Sequence, residues 1–265
     1  MDSHVHTILS HDGKSSILDY INNNNGINEI TFTEHYDIYD GINSNLKTID
    51  LDNYYKEYLK YKDNKKVKIN FGIEVGLQPD LVNEINTMLD SYPFDFVIGS
   101  SHITCKKDMA MDKSFFEGLT RFDAYLNYFK EVLENIKLYD NFDVYGHLDY
   151  VVRYGNYDEK IINYNEFKDI LDEILLLLIN KNKGLEVNTS GFRYSLGYFH
   201  PNMEILLRYK ELGGYIITLG SDAHHVNDLA FKFNQTLEIL DNIGFSDIAV
   251  YHNRKPEFVK INKLR

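Results

Sequence analysis

Two histidines near the start of the chain have the type and spacing of a metal site. His4 and His6 are separated by one residue within the stretch 1–12, MDSHVHTILSHD. On an extended strand, residues i and i+2 project from the same face, so both imidazoles would point into one space. Neutral imidazole is a good ligand for zinc, iron or manganese ions. Two polar residues on an ordinary strand would give the same pattern, so the pair alone only suggests a metal half-site.

Other histidines and carboxylates occur where later strands are predicted to end. They are His35, Glu74, His102, His147, Asp222 and His224. In a parallel barrel the carboxyl ends of the strands form one face, where barrel enzymes keep their active sites. Six of the ten histidines fall at such ends, and solvated histidines would have no reason to do so. We therefore predict a metal cluster on this face.

The predicted ligand atoms are nitrogen and oxygen only. This set suits zinc, iron or manganese and argues against a sulfur-rich structural zinc site. One ion could not use all of these side chains, whereas two or three divalent ions could, with a carboxylate bridging them. Such sites hold phosphoryl oxygens and generate hydroxide near neutral pH. The ligand set therefore predicts two to three divalent ions and the hydrolysis of a phosphate ester.

The elements that must position these residues alternate between strand and helix. After the first strand, strands are predicted at 29–33, 67–73, 94–99, 142–146, 185–188 and 215–220. Helices are predicted at 15–25, 51–64, 80–91, 122–138, 165–182, 201–212 and 226–242, with a possible last strand at 248–251. This α/β alternation predicts a (β/α) TIM-like barrel, formed as a single domain by residues 1–265. An open doubly wound sheet competes with it, but the chain lacks a Gly-rich dinucleotide fingerprint.

The composition of the chain limits the kinds of partner that the protein is expected to bind. The 265 residues are 43% hydrophobic, enough for a substantial core, and carry a formal net charge of −12, which argues against nucleic acid. Cys105 is the single cysteine, so an intrachain disulfide is excluded and a reducing, cytoplasmic setting is expected. The early His4 leaves no room for a signal peptide, and the longest aliphatic run, 174–179, is too short to span a bilayer. No membrane partner is expected, and the oligomeric state is left open.

Seven ordered motifs resemble the polymerase-and-histidinol-phosphatase (PHP) family. They are His4-Val-His6, Asp12, Glu34-His35, Gly72-Ile-Glu74, Ser101-His102, Gly146-His147 and Ser221-Asp222-Ala-His224. The resemblance runs from residue 2 to about 225, and the stretches 186–193 and 209–214 resemble the histidinol-phosphatase branch. It implies a distorted (β/α)7 barrel with a trinuclear metal centre.

The resemblance also implies a ligand set for each ion. The first ion is expected on His4, His6, Glu74 and Asp222; the second shares Glu74 and adds His102 and His147; the third uses Asp12, His35 and His224. Several family members carry histidine at the position of Asp12. His11 lies beside it, so either residue could ligate the third ion. Glu74, Asp222 and His224 are the predicted catalytic residues.

Two arginines follow strand-end motifs. Arg153 comes after His147-Leu-Asp-Tyr, and Arg193 comes after Asn188-Thr-Ser-Gly. The planar guanidinium fork matches a phosphate group, although a surface salt bridge is an equal alternative from the residues alone. The resemblance implies that both arginines bind the substrate phosphate. His200, in contrast, is interpreted as an ordinary structural or surface histidine.

The leading hypothesis is a metal-dependent phosphomonoesterase. Hydroxide generated at the ions would attack phosphorus in line, while the ions and both arginines neutralise the developing charge. By the resemblance, the substrate would be L-histidinol phosphate, hydrolysed to L-histidinol and phosphate in histidine biosynthesis. The alternatives are another small phosphate ester or nucleotide, a PHP exonuclease, an amidohydrolase-type metal hydrolase, and a non-catalytic metal-binding module. An amidohydrolase commonly adds a bridging lysine, where this chain has Glu74 or His102.

Overall fold

Seven parallel strands form the centre of the molecule in the computed structural model, which describes residues 1–42 and 45–264. The strands are β1 (Asp2–Val5), β2 (Glu29–Tyr36), β3 (Lys68–Gly76), β4 (Phe96–Ser100), β5 (Val144–Tyr145), β6 (Gly184–Asn188) and β7 (Ile217–Gly220). They pair side by side in chain order. Parallel neighbours need a crossover connection, which a helix supplies between each strand and the next.

The sheet closes into a barrel between β7 and β1. His6 N–H donates to the carbonyl of Ala223 at 2.9 Å, and Asp222 N–H donates to the carbonyl of His4 at 2.8 Å. Both hydrogen bonds lie at the carboxyl ends of the two strands. The near-closed seven-stranded barrel confirms the predicted (β/α)7 fold and gathers the strand ends on one face.

Seven α-helices occur among the described residues. They are α1 (Ile17–Asn22), α2 (Leu51–Tyr61), α3 (Val82–Ser91), α4 (Arg121–Leu138), α5 (Lys168–Asn180), α6 (Met203–Glu211) and α7 (Phe233–Asn242). Short 3-10 turns lie at Pro79–Leu81, Lys113–Phe115, Tyr150–Arg153, Tyr164–Glu166, Thr189–Phe192, Val226–Asp228 and Ile261–Lys263. Across residues 1–42 and 45–264, no helix combines the length and apolar character needed to cross a membrane.

The helices pack their apolar faces on the barrel. On α2, the ring of Tyr54 lies 4.8 Å from that of Phe71 on β3. The Tyr54 hydroxyl also donates to the carbonyls of Phe32 and Gly72, at 2.8 and 2.9 Å. The parallel pairing of β2 with β3 places His35 directly opposite Glu74.

The predicted helix 226–242 is wrong at its start. Val226–Asp228 is a 3-10 turn, and α7 begins only at Phe233. Lys232 precedes α7 with φ of 61°, a left-handed conformation that no helix can continue through. An apolar periodicity does not reveal a backbone turn of this kind.

Within the part of the chain that the structure describes, two antiparallel hairpins lie outside the barrel. The C-terminal hairpin pairs Asp247–His252 with Lys255–Lys260, so the predicted last strand exists but is not a barrel strand. In its turn, Arg254 Nε donates to Asp143 Oδ2 at 2.6 Å, just before β5. The hairpin thus covers the amino end of the barrel, opposite the face that carries the histidines. A smaller hairpin, Ile103–Thr104 with Lys107–Asp108, directly follows β4.

Candidate metal centre

The residues predicted as metal ligands come together at the carboxyl end of the barrel. They lie on, or just after, β1, β2, β3, β4, β5 and β7, apart from Asp12, which lies on the loop after β1. Asp222 has φ of 55°, a left-handed conformation that is uncommon outside glycine and often found at functional sites. The carboxylate of this residue faces both His4 and His6.

Glu74 is the centre of the cluster. Its carboxylate is fully buried, and each oxygen faces different imidazoles. Oε1 lies 2.8 Å from His147 Nε2 and 3.2 Å from His102 Nε2. Oε2 lies 3.0 Å from His35 Nδ1 and 3.2 Å from His4 Nε2. One carboxylate between two sets of imidazoles has the geometry of a bridging ligand.

His4, His6 and Asp222 enclose one space beside Glu74. His4 Nε2 and His6 Nε2 are 2.9 Å apart. Asp222 Oδ1 lies 3.6 Å from the first of these nitrogens and 3.5 Å from the second, and Glu74 Oε2 lies 3.4 Å from His6 Nε2. Two lone pairs this close repel unless a proton or a cation lies between them. A divalent ion fits this donor set of two imidazoles and two carboxylates.

Asp12 forms a third group with His35 and His224. Asp12 Oδ2 lies 3.1 Å from His224 Nε2, and Oδ1 lies 3.8 Å from His35 Nε2. The two Nε2 atoms approach to 3.4 Å. His11 Nε2 lies 4.0 Å from the Asp12 carboxylate. Asp12 therefore faces both imidazoles, and His35 links this group to Glu74 through its other ring nitrogen.

Burial and charge set the protonation of the histidines. Burial, reinforced by the neighbouring imidazoles of His35 and His224, lowers the pKa of His6 to about 4. Burial likewise lowers the pKa of His147 to about 4. Burial opposes protonation of His35 too, but the adjacent Glu74 carboxylate outweighs it and raises the pKa of His35 to about 9. His6 and His147 are thus ready as neutral donors, whereas a cation would displace a proton from His35.

Two carboxylates to which the sequence analysis assigned no role contact histidines of the cluster. Each carboxylate lies at the Nδ1 atom of its histidine, and the Nε2 atom of that ring faces the cluster. Glu186 Oε1 lies 2.5 Å from His4 Nδ1, and Asp37 Oδ1 lies 3.0 Å from His102 Nδ1. A carboxylate at one ring nitrogen keeps the proton there and leaves the other nitrogen free for a metal. Two signals could have found them. Asp37 follows His35 by two residues, and Glu186 is a charged residue between the apolar Leu185 and Val187 on a strand.

Two glycines make room for these carboxylates. A Cβ atom on Gly220 would lie 2.5 Å from Glu186 Oε1, and one on Gly76 would lie 1.9 Å from Asp37 Oδ1. Both distances are too short for real contacts. Any side chain at either position would therefore displace the carboxylate that orients a histidine.

Arg153 and Arg193 both reach Asp222. Arg153 Nη2 donates to Ser190 Oγ at 2.6 Å and to Asp222 Oδ2 at 3.3 Å. Arg193 Nη2 donates to the Asp222 carbonyl at 2.7 Å. Arg193 Nη1 is buried and has no hydrogen-bond partner among the described residues. A buried cationic donor without a partner, beside the metal donors, is suited to an anion such as phosphate.

Comparisons with known sequences agree with this geometry. The sequence model of the PHP domain family matches residues 2–190. The chain is 33% identical to the histidinol-phosphatase of Lactococcus lactis subsp. lactis, an alignment that covers 96% of this chain and 95% of that protein. It is 31% identical to a probable histidinol-phosphatase of Clostridium acetobutylicum, with 93% and 95% covered.

Solved structures extend the likeness to the whole barrel. The crystal structure of histidinol phosphate phosphatase from Lactococcus lactis, complexed with zinc, L-histidinol and phosphate, superposes with a TM-score of 0.88 at 32% identity, covering 97% of this chain and 98% of that chain. A putative histidinol phosphatase from Listeria monocytogenes shares the fold, with a TM-score of 0.73 at 21% identity over 88% and 98% of the two chains. The sequence match and the shared barrel together establish that this chain belongs to the PHP domain family.

Proposed function

We propose that this protein hydrolyses L-histidinol phosphate to L-histidinol and phosphate, with divalent metal ions held at the carboxyl end of its barrel. One observation gives the strongest support for this function. The chain superposes over 97% of its length on the Lactococcus lactis enzyme whose crystals contain zinc, L-histidinol and phosphate. The substrate is therefore a small phosphoric monoester, and the enzyme is a phosphatase.

The enzyme uses divalent metal ions. Three overlapping groups of donor atoms lie close enough together to hold a cation: His6, His35 and His224; His4, His6 and Asp222; and His35, Glu74 and His102. We propose two to three ions of zinc, iron or manganese, with Glu74 as the shared ligand. The proposed sets are His4, His6, Glu74 and Asp222; Glu74, His102 and His147; and Asp12, His35 and His224. When bound, such ions act as Lewis acids toward phosphoryl oxygens and supply a water of lowered pKa.

Asp222 connects the metal donors to the phosphate-binding donors. Its Oδ1 faces His4 and His6, while its Oδ2 and its carbonyl accept hydrogen bonds from Arg153 and Arg193. A phosphate held by the two guanidinium groups would thus lie beside the metal donors. The arginines bind and orient the ester, and their charge stabilises the transition state as negative charge develops on phosphorus-bound oxygens.

We propose that residues 1–265 act as one domain. The family match ends at residue 190, yet β7, Asp222 and His224 complete the barrel and the site beyond it. The net charge of −12 supports a small substrate over a nucleic acid, and the single cysteine supports a cytoplasmic enzyme.

The test is a comparison of substrates with the purified, zinc-loaded protein. We expect kcat/KM for L-histidinol phosphate to exceed that for an aryl phosphate, a sugar phosphate, a nucleoside bisphosphate and a short oligonucleotide by at least about tenfold, roughly 1.4 kcal/mol of transition-state discrimination. A lower preference would replace this substrate with a broader range of phosphate esters.

A further inference from the structure

His200 contacts Arg153 and, through its other ring nitrogen, the buried Asp149. Arg153 Nε donates to His200 Nε2 at 3.1 Å, and His200 Nδ1 lies 2.5 Å from Asp149 Oδ1. Asp149 and His200 are both fully buried. The sequence analysis interpreted His200 as an ordinary histidine, but it contacts one of the two proposed phosphate ligands.

Arg153 fixes the direction of the hydrogen bonds, because its Nε can only donate and His200 Nε2 must therefore accept. The proton of the neutral ring then lies on Nδ1 and is donated to Asp149 Oδ1, while Asp149 Oδ2 accepts from Asn202 N–H at 3.0 Å. A carboxylate at His200 Nδ1 keeps the ring proton on that nitrogen. His200 Nε2 then offers a lone pair to Arg153, which needs an acceptor because arginine carries only donors.

The surroundings hold Arg153 in one orientation. His200 is fixed through its backbone, because its N–H and carbonyl both pair with Asn188 at 2.8 Å. The guanidinium carbon of Arg153 packs over the rings of Tyr150 and Tyr194, 4.9 and 4.4 Å from their centroids. His200 engages Nε and Ser190 engages Nη2, so Nη1 is the nitrogen without a hydrogen bond to the described residues.

We propose that His200 and Asp149 are positioning residues that orient the Arg153 guanidinium for the substrate phosphate. This inference rests on the proposed function, since it takes Arg153 as a phosphate ligand. His200 accepts the Nε hydrogen bond and so sets the rotation of the guanidinium, while Asp149 holds His200 in the tautomer that can accept. Both residues are buried and act on the substrate only through Arg153.

The test is a double-mutant cycle between His200→Phe and Arg153→Met. Phenylalanine keeps the ring but removes the acceptor. We expect His200→Phe to raise the inhibition constant of inorganic phosphate and the KM of L-histidinol phosphate about tenfold, with zinc content unchanged. In the Arg153→Met background, the same change should alter both constants by less than about twofold, because its only route to the phosphate is gone.

Three further variants separate positioning from stability. Tyr139→Phe removes another buried hydrogen bond, from the hydroxyl to the Gln78 carbonyl at 2.7 Å, and should leave phosphate inhibition unchanged. His200→Gln can still accept from Arg153 and should stay within about threefold of the wild type. Asp149→Asn cannot satisfy both His200 and Asn202, because its amide must face one of them. It favours the wrong tautomer and should resemble His200→Phe.

The outcomes distinguish this inference from the proposed function. Wild-type phosphate inhibition in His200→Phe, or equal effects with and without Arg153, would overturn the positioning role. Loss of zinc, or failure of His200→Phe, His200→Gln and Asp149→Asn to fold, would assign the network to structure and also overturn it. If Arg153→Met itself left phosphate inhibition unchanged, the phosphate role of Arg153 in the proposed function would fail, and the positioning role that rests on it would fail with it.

Discussion

Replacing Glu74 with glutamine should be among the most damaging single changes in the protein. Glutamine keeps the size of the side chain but replaces one carboxylate oxygen with an amide that cannot bind a cation. In the structure, Oε1 faces His102 and His147, and Oε2 faces His4 and His35. Whichever way the amide turns, one set of imidazoles loses its anionic partner, and the remaining oxygen is neutral.

The magnitude follows from the number of interactions affected. A charge-assisted contact is worth about 1.5–3 kcal/mol, so the loss of one at each of two ions amounts to roughly 3–6 kcal/mol. This corresponds to a decrease of roughly 10²–10⁴-fold in kcat/KM. Zinc content should fall by at least about one ion per chain, since in the proposed site Glu74 is the ligand that two ions share.

The assay combines elemental analysis with initial rates for L-histidinol phosphate. Asp143→Asn is the matched control, because it neutralises a buried carboxylate at the opposite end of the barrel, where its partner is Arg254. It should lower stability but keep zinc content and kcat/KM. Glu186→Gln should fall between the two, with a loss of about 10–100-fold, since Glu186 acts through His4. Full zinc content and wild-type rates in Glu74→Gln would refute the bridging role.

Three further predictions address the ions, the arginines and pH. Strong chelation should abolish activity and lower Tm by roughly 5–10 °C, as expected for losing about 2.7 kcal/mol of ligand stabilisation; an unchanged Tm and rate would contradict bound metal. Arg193→Met should lower kcat/KM about 10–100-fold with zinc retained, whereas zinc loss or wild-type kinetics would contradict its role. Because the pKa of His35 is raised to about 9, zinc bound at this residue would displace its proton. This proton alone should lower the apparent zinc affinity up to about tenfold per unit as pH decreases from 9 to 7, and chelator-competition titrations showing no pH dependence would contradict the prediction.

The barrel and the cluster could be predicted because both follow from local patterns. Strand–helix alternation predicts the topology, and parallel topology forces the strand ends onto one face. His102 and His147 are 45 residues apart in the chain, yet their Nε2 atoms lie 3.5 Å from each other because each follows a neighbouring barrel strand. No more than the order of the strands is needed for that prediction.

The residues that support the cluster were harder to find, because their partners are set by tertiary contacts. Glu186 binds His4 across 182 residues of chain, and the buried His200 meets Asp149 and Arg153 only once β6 and the turn after β5 are in place. The break before α7 depends on the left-handed Lys232, which an apolar pattern does not reveal. Buried charged residues inside apolar strands are the signal that would have exposed part of this network.

Anomalous diffraction from crystals grown with zinc and phosphate tests the central claim most directly, because it locates ions and anion relative to the proposed ligands. The account predicts zinc peaks on both sides of the Glu74 carboxylate, with a third between Asp12, His35 and His224 where the third group is occupied. Phosphate should lie against these ions and within hydrogen-bonding distance of Arg153 and Arg193. A single zinc away from Glu74, or phosphate bound elsewhere, would contradict the account.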